Sequence, residues 1–258
     1  MNLPPNPFKA ALGAGRQQIG IWNVIPNSLH TEALATCGFD WMLIDTEHTP
    51  VTLPTVLTML QSVDPSPTHA VVRPGWNDAT EIKHLLDIGA RTLLVPYVQN
   101  AAEATRAVEA VRYAPQGMRG MAGLTRAGHF GQYKDYATRA NDEVCLLVQV
   151  ETVEALAEIE AIAAVDGVDG IFIGPADLAA SMGLPGQPTA PQVRAAVLDG
   201  IRRIVAAGKP AGMLTPDQGF AREAVAAGTS FTAIGIDMAL LLTAARGLAE
   251  NWKRDAPA

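Results

Sequence analysis

Four polar clusters interrupt the apolar runs of this chain: Asp45-Thr-Glu-His48, Arg73, Gln149-Val-Glu151 and Gly174-Pro-Ala-Asp177. Two facing carboxylates such as Glu151 and Asp177 repel unless they share a proton or a metal. A hard divalent ion fits this pair, because Mg²⁺-type sites use one or two carboxylates and fill the remaining positions with water and substrate. The sequence has no HxxxH, no CxxC and no cluster of three histidines, which argues against a closed zinc site. Backbone N–H groups at Gly174-Pro-Ala-Asp177 can form an anion pocket where a strand turns into a helix. The plainer reading is a proline in a first helical turn with an acid near the helix's positive end. Arg73 adds a planar cation. Metal, anion pocket and arginine together suit a 2-oxo acid, chelating through its carboxylate and keto oxygens, and stabilise its enolate.

Forming or breaking a bond at the enolate carbon requires a base. His48 is the histidine at a strand-end loop, whereas His30 and His84 fall in helical stretches and His69 begins the third strand. His129, in a long loop, stays a second candidate. A Schiff-base mechanism needs a desolvated lysine at a strand's C-terminal end. None of Lys9, Lys83, Lys134, Lys209 and Lys253 is there; Lys209 precedes the seventh strand, at the opposite mouth.

The elements that must position these groups follow from hydrophobic patterning. Strands are expected at Ile19–Asn23, Trp41–Asp45, Ala70–Arg73, Thr92–Pro96, Cys145–Val150, Gly170–Gly174, Ala211–Leu214 and Phe231–Gly235. Amphipathic helices lie between them, clearest at Ala101–Arg112, Thr152–Ala163, Pro191–Ala207 and Pro216–Ala227. Apolar strands alternating with helices imply a parallel sheet covered by helices. Eight such units in 258 residues point to a (β/α)₈ TIM barrel, α/β in class, as one domain over residues 1–258. A doubly wound sheet is disfavoured, since no G-x-G-x-x-G follows the first strand and no Walker A is present. In a barrel the C-terminal strand ends form the reactive rim, so the polar clusters converge there. Glu151 and Asp177 are one βα unit apart and should sit on neighbouring strands. The Gly- and Arg-rich stretch Tyr113–Arg139 exceeds an ordinary connection and reads as a functional loop or an oligomer contact.

The chain is 48% hydrophobic, enough for a large core, and carries a net charge of −7 without a long basic run. That argues against nucleic acid, which needs clustered Lys and Arg. Cys37 and Cys145 make no disulfide framework. The N-terminus does not read as a signal peptide, and Met238–Ala245 is less than half a membrane span. A soluble, cytoplasmic protein is expected, with no membrane partner.

Gly38-Phe-Asp-Trp-Met-Leu-Ile-Asp-Thr-Glu-His48, Val72-Arg-Pro74, Val148-Gln-Val-Glu-Thr152 and Ile173-Gly-Pro-Ala-Asp-Leu178 resemble the HpcH/HpaI family of metal-dependent aldolases. Tyr113-Ala-Pro-Gln-Gly-Met-Arg-Gly120 and Ala233-Ile-Gly-Ile-Asp237 are similar to its other signatures, so the resemblance spans nearly the whole chain. It implies a class II, pyruvate-dependent aldolase on a (β/α)₈ barrel of the phosphoenolpyruvate/pyruvate-binding type. The implied reaction joins or cleaves a 4-hydroxy-2-oxo acid, giving pyruvate or a related 2-oxo acid and an aldehyde. The implied assembly is a homohexamer, a trimer of dimers, with the last helix exchanged between subunits. The tail 237–252 is accordingly expected on a neighbour.

Residue by residue, the resemblance makes Glu151 and Asp177 ligands of Mg²⁺, Mn²⁺ or Co²⁺, and Arg73 the enolate-stabilising arginine. It puts Gln149 beside the metal, the backbone of Gly174, Pro175 and Ala176 around the carboxylate, and Leu214 near the acceptor. His48 matches the base, and Asp45 and Asp87 match acids associated with it. Asp87 ends the third helix, which should put it at the bottom mouth, so it is expected to reach an adjacent subunit's site. Thr46, where glycine is usual, and Ile21-Trp-Asn-Val-Ile25 depart from the family pattern; Trp22 and Asn23 are expected to reshape the acceptor pocket. The alternatives are a CoA-ester lyase of the related pyruvate-binding barrels and a non-catalytic barrel that binds metal and oxo acid. No basic or extended region for a nucleotide carrier speaks for the first, and binding alone would not require His48.

Overall fold

The computed structural model of the protein describes residues 1–255. Eight parallel strands close in sequential order into a barrel: β1 (Gln18–Asn23), β2 (Trp41–Asp45), β3 (His69–Arg73), β4 (Thr92–Val95), β5 (Cys145–Val150), β6 (Gly170–Ile173), β7 (Ala211–Leu214) and β8 (Thr229–Ile236). The early helices are α1 (Pro7–Gly13), α2 (Ser28–Ala35), α3 (Leu53–Val63), α4 (Ala79–Asp87), α5 (Ala101–Val111) and α6 (Tyr136–Glu143). The later ones are α7 (Val153–Ala157), α8 (Ile159–Ala163), α9 (Pro175–Ser181), α10 (Pro191–Ala206), α11 (Gln218–Ala227) and α12 (Asp237–Asp255). All eight expected strands are present with ends shifted by at most a few residues. The expected helix Thr152–Ala163 is instead two short ones, broken at Glu158, which leaves helical geometry at φ −97°, ψ 7°.

Side chains alternate across each strand, and the alternation sorts the core into two layers. Trp22, Trp41, Leu43, Val71, Leu147, Phe172 and Phe231 fill the barrel interior. Ile44, Val72, Leu93, Val148, Ile171 and Met213 face outward against the helices. Gly212 leaves room for this filling: a Cβ there would come within 2.2 Å of the Phe231 ring. Helix α1 closes the N-terminal mouth. Asn6 caps it by accepting from the Phe8 and Lys9 N–H groups, and Phe8 and Leu12 pack into the inner layer. Phe8 stacks on the His69 ring at 5.4 Å and meets Trp41 and Phe231 edge-on.

The long stretch Tyr113–Arg139 lies between a helix and the next strand, at the N-terminal end of the barrel rather than on the reactive rim. It holds the chain's start: Lys134 N–H donates to the Met1 carbonyl and Leu3 N–H to Asp135 Oδ1. A cavity of about 470 Å³ opens there, lined by Arg91, Arg126, His129, Tyr133 and Tyr136 among others. His129 is therefore remote from the strand-end acids of its own chain. Helix α12 touches β1 and β8 and otherwise projects with Leu240, Leu241, Leu248 and Trp252 exposed. Among the described residues no helix is long and apolar enough to cross a membrane.

Candidate active site

The inward parity of the strands continues past the apolar layers and delivers polar groups to the rim. On β2 the inward series Trp41, Leu43 ends in Asp45; on β3 Val71 is followed by Arg73; on β5 Cys145 and Leu147 lead to Gln149 and then Glu151. Asp45 and Arg73 are register partners, so the two buried groups meet side by side. Arg73 donates from Nε to Asp45 Oδ1 at 2.9 Å and from Nη2 to Oδ2 at 2.6 Å, a bidentate pair. Burial alone would push the Asp45 carboxyl upward, but the Arg73 bonds and charge outweigh it and hold it below the usual carboxylate range. Trp22 supports the pair from within the barrel: its Nε1 donates to Asp45 Oδ2 at 3.3 Å, and its ring lies 5.0 Å from the Arg73 guanidinium carbon.

Arg73 has a third contact, Nη1 to Glu47 Oε2 at 2.8 Å. Glu47, the middle residue of Thr46-Glu-His48, thereby joins the candidate site, although no role follows for it from the sequence alone. Burial raises its carboxyl, against the pull of Arg73 and His48, and the negative charges of Asp45 and Asp177 raise it further. His48 is on the rim with its side chain 65% exposed and its Nε2 3.8 Å from Glu47 Oε1. The Asp45 carboxylate faces Arg73 and the backbone of Glu47 rather than the His48 ring. Thr46 locks the start of this loop onto β3, its N–H and Oγ1 both donating to the Arg73 carbonyl at 3.0 and 2.6 Å.

Across the barrel, β5 and β6 pair in parallel, which brings the Glu151 and Asp177 segments together as their spacing implied. Glu151 is buried, and its Oε1 accepts from Tyr97 N–H at 2.9 Å while its Oε2 accepts from Gln149 Nε2. Desolvation pushes its carboxyl up to about 7; the Gln149 bond opposes this and the charge of Asp177 adds to it. Asp177 is exposed in the first turn of α9. Glycine at 174 leaves room for this pair, since a Cβ would meet Glu151 Oε2 at 2.5 Å and Gln149 Nε2 at 2.9 Å. As helix N-cap, Gly174 offers no side-chain acceptor, which leaves the N–H groups of Ala176 and Asp177 without a side-chain cap. Leu214, at the end of β7, packs against the inner layer.

Two features fit a divalent ion at Glu151 and Asp177. Burial, and after it the charge of Asp177, raise the cost of ionising Glu151, a cost a cation would offset, and the buried Gln149 Oε1 has no hydrogen-bond partner. Among the described residues no three His, Cys, Asp or Glu side chains form a set that could hold an ion alone. An ion here would thus complete its shell with water and substrate.

Two expected residues lie elsewhere. Asn23 has the outward parity of Ile21, and its Nδ2 donates to Thr31 Oγ1 at 2.8 Å under α2, so it does not line the rim. The expectation that it reshapes an acceptor pocket is corrected; its neighbour Trp22 is inward, beneath Arg73. Asp87, at the end of α4, is at the N-terminal mouth, as helices antiparallel to the strands require. It accepts from Arg119 Nη2 at 2.9 Å, and the buried Arg119 stacks 4.5 Å from the Tyr113 ring. No lysine of the described chain is at the site; Lys9 and Lys209 donate to the carbonyls of Val144 and Val168.

The family profile described as HpcH/HpaI aldolase/citrate lyase matches residues 18–244. The hydroxypyruvate/pyruvate aldolase of Sagittula stellata is 56% identical over 252 residues, covering 98% of this chain and 100% of that one. The 4-hydroxy-2-oxo-heptane-1,7-dioate aldolase of Shigella sonnei is 50% identical over 254 residues, 98% of this chain and 97% of the other. A crystal structure of an HpcH/HpaI aldolase/citrate lyase family protein from Burkholderia cenocepacia J2315 superposes with a TM-score of 0.92 at 35% identity, covering 96% and 99% of the two chains.

Proposed function

Because the chain belongs to the HpcH/HpaI aldolase/citrate lyase family, we propose that its strand-end rim carries out a reversible, metal-dependent aldol reaction with pyruvate or a related 2-oxo acid as donor. The enzyme is a carbon–carbon lyase of the aldolase type, with a 4-hydroxy-2-oxo acid on one side and the 2-oxo acid plus an aldehyde on the other. The observation that carries this reading is Arg73, a buried guanidinium locked between Asp45 and Glu47 opposite Glu151 and Asp177. No lysine stands at the rim to form an imine, so charge developing on the keto oxygen must be met by such fixed groups.

Glu151 and Asp177 would hold a divalent cation (Mg²⁺, Mn²⁺ or Co²⁺). When bound, it supplies Lewis-acid polarisation of the keto oxygen. The chain's own residues do the rest. The backbone at Gly174, Pro175 and Ala176 receives the donor carboxylate, and Gln149 orients the keto group. Arg73, unable to rotate away from Asp45, stabilises the enolate oxygen. His48, exposed on the rim beside Glu47, removes the C3 proton in the addition direction. In cleavage it takes the proton of the 4-hydroxyl. Leu214 bounds the acceptor.

In this reading the cytoplasm is the compartment, since Cys37 and Cys145 are both free thiols. The partners are small molecules and further copies of this chain, in a hexamer built as a trimer of dimers.

The test is exchange of the pyruvate methyl protons in D₂O, together with cleavage of a panel of 4-hydroxy-2-oxo acids. Both should vanish in excess chelator and return with Mg²⁺, Mn²⁺ or Co²⁺. Glu151→Gln and Asp177→Asn should raise the metal concentration needed by about 10- to 100-fold or more. Full activity in excess chelator would refute the metal-dependent reading.

A further inference from the structure

Tyr97 is not glycine, yet its φ is +54°, in the left-handed region that disfavours side chains with a Cβ. It lies in the turn between β4 and α5, and the turn is arranged around the end of β5. Tyr97 N–H donates to Glu151 Oε1 at 2.9 Å, and the next N–H, of Val98, donates to the Gln149 carbonyl at 2.9 Å. A strained backbone therefore supplies a direct protein donor to the most buried carboxylate of the rim. The ring of Tyr97 stacks on Trp76, with centroids 5.5 Å apart and planes inclined by 29°. Both rings are substantially exposed, 40% for Tyr97 and 53% for Trp76, an unusual placement for two large aromatics that fill no core.

Trp76 is itself held in place. It follows Arg73 by three residues, and its neighbours Gly75 and Asn77 are tied down: Gly75 N–H donates to Glu81 Oε1 at 2.8 Å and Asn77 Nδ2 to the Glu103 carbonyl at 3.0 Å. Glu103 also accepts from Gln99 N–H at 2.9 Å. The loop after β3 and the turn after β4 thus share one anchor on α5, and the two rings meet above it.

We infer that the Trp76–Tyr97 stack is a positioning device that holds the left-handed turn closed and so keeps Tyr97 N–H on Glu151. Aromatic stacking opposes the relaxation of Tyr97 to an ordinary φ, which would swing its N–H away. Losing that donor would leave one oxygen of a buried carboxylate unpaired and free to rotate out of its ligating orientation. Trp76 and Tyr97 are positioning residues here, acting through Glu151. The inference rests on the proposal that Glu151 holds the metal, and the experiment separates the two.

Binding of Mn²⁺ to the metal-free full-length protein is measured by calorimetry, with no substrate present, alongside thermal unfolding of the same metal-free samples. Trp76→Ala and Tyr97→Ala should each weaken Mn²⁺ binding by about tenfold, the low end of the effect of a hydrogen-bond partner to a ligand. Trp76→Phe and Tyr97→Phe, which retain stacking, should stay within about twofold of the parent on the same scale. The exposed rings contribute little to the core, so the unfolding temperature should barely move. Unchanged Mn²⁺ affinity in the alanine variants, with a large loss in Glu151→Gln, would overturn the brace while leaving the metal site standing. Parent-like affinity in Glu151→Gln would remove the metal reading and the brace together. Equal losses in the alanine and phenylalanine variants would also overturn the brace, because stacking would then not be what matters.

Discussion

Arg73 is buried and has two carboxylates to satisfy it, and this arrangement decides how it can act. Its Nε and Nη2 are committed to Asp45, and Nη1 reaches Glu47. A guanidinium held this way is pre-organised, so its interaction with developing charge costs no rearrangement. Lysine cannot reproduce the fork. Arg73→Lys should therefore lower kcat by roughly 10²-fold or more, with a smaller effect on the affinity for a non-reacting pyruvate analogue. Asp45→Asn should lower kcat in the same direction by loosening Arg73. The double variant should lose less than the product of the two, since one interaction cannot be removed twice. Steady-state kinetics on the three variants checks this; strictly multiplicative losses would separate Asp45 from Arg73. Trp22, in contact with both groups, belongs to the same unit.

At the scale of elements, the barrel's N-terminal mouth is sealed by α1 on a neutral histidine. His69 is pressed against Phe8, its Nε2 bonded to Thr92 Oγ1 at 2.7 Å, and burial followed by the nearby charge of Arg91 lowers it to about 3. A histidine lowered in the fold binds fewer protons there than in the unfolded chain. Its contribution is fully present above the unfolded value near 6.5 and is lost as pH falls from there toward about 3. Between pH 7.5 and pH 5 this removes up to ~2 kcal/mol of stability. Unfolding by urea should show the loss, and His69→Gln should flatten that acid limb. The rim end is pinned differently. Asp237, at the head of α12, accepts from the N–H groups of Val24 and Ile25 and bonds His30 Nε2 at 2.9 Å. The first residue of the last helix therefore belongs to the barrel, and the rest of that helix does not.

For the whole molecule, the exposed apolar residues of α12 are the feature one chain leaves unpaired. A helix apolar on a solvent face needs a partner, and the proposed partner is another copy. A chain ending at Ala239, which retains Asp237, should fold and lose the native assembly in light scattering. Retention of the oligomer would place the interface elsewhere. Asp87 poses the related question of shared sites. It is at the mouth opposite His48, bonded to Arg119, so a role beside His48 requires a neighbouring subunit. Co-assembled His48→Ala and Asp87→Ala chains, each inactive alone, should recover part of the activity. Proven mixed oligomers without recovery would confine each site to one chain.

Sequence by itself determined the eight strands, their order and the polar residues at their C-terminal ends, because alternation and helical spacing are local patterns that burial enforces everywhere along a barrel. It also brought Glu151 and Asp177 together, since one βα unit separates their strands and sequential barrels make such strands neighbours. The inward parity of Trp22 and the outward parity of Asn23 follow from the same alternation along β1. Only the tertiary structure decided which charges pair. Asp45 is three residues from His48 in the chain, yet it is opposite Arg73 across the sheet, and a bidentate bond to a buried guanidinium outcompetes a contact to an exposed ring. It also decided that Tyr113–Arg139 lies at the N-terminal end, where it bonds residues Met1 and Leu3, and that Tyr97 takes a left-handed turn against Glu151. These depend on register and on contacts between distant segments, and a local pattern carries neither.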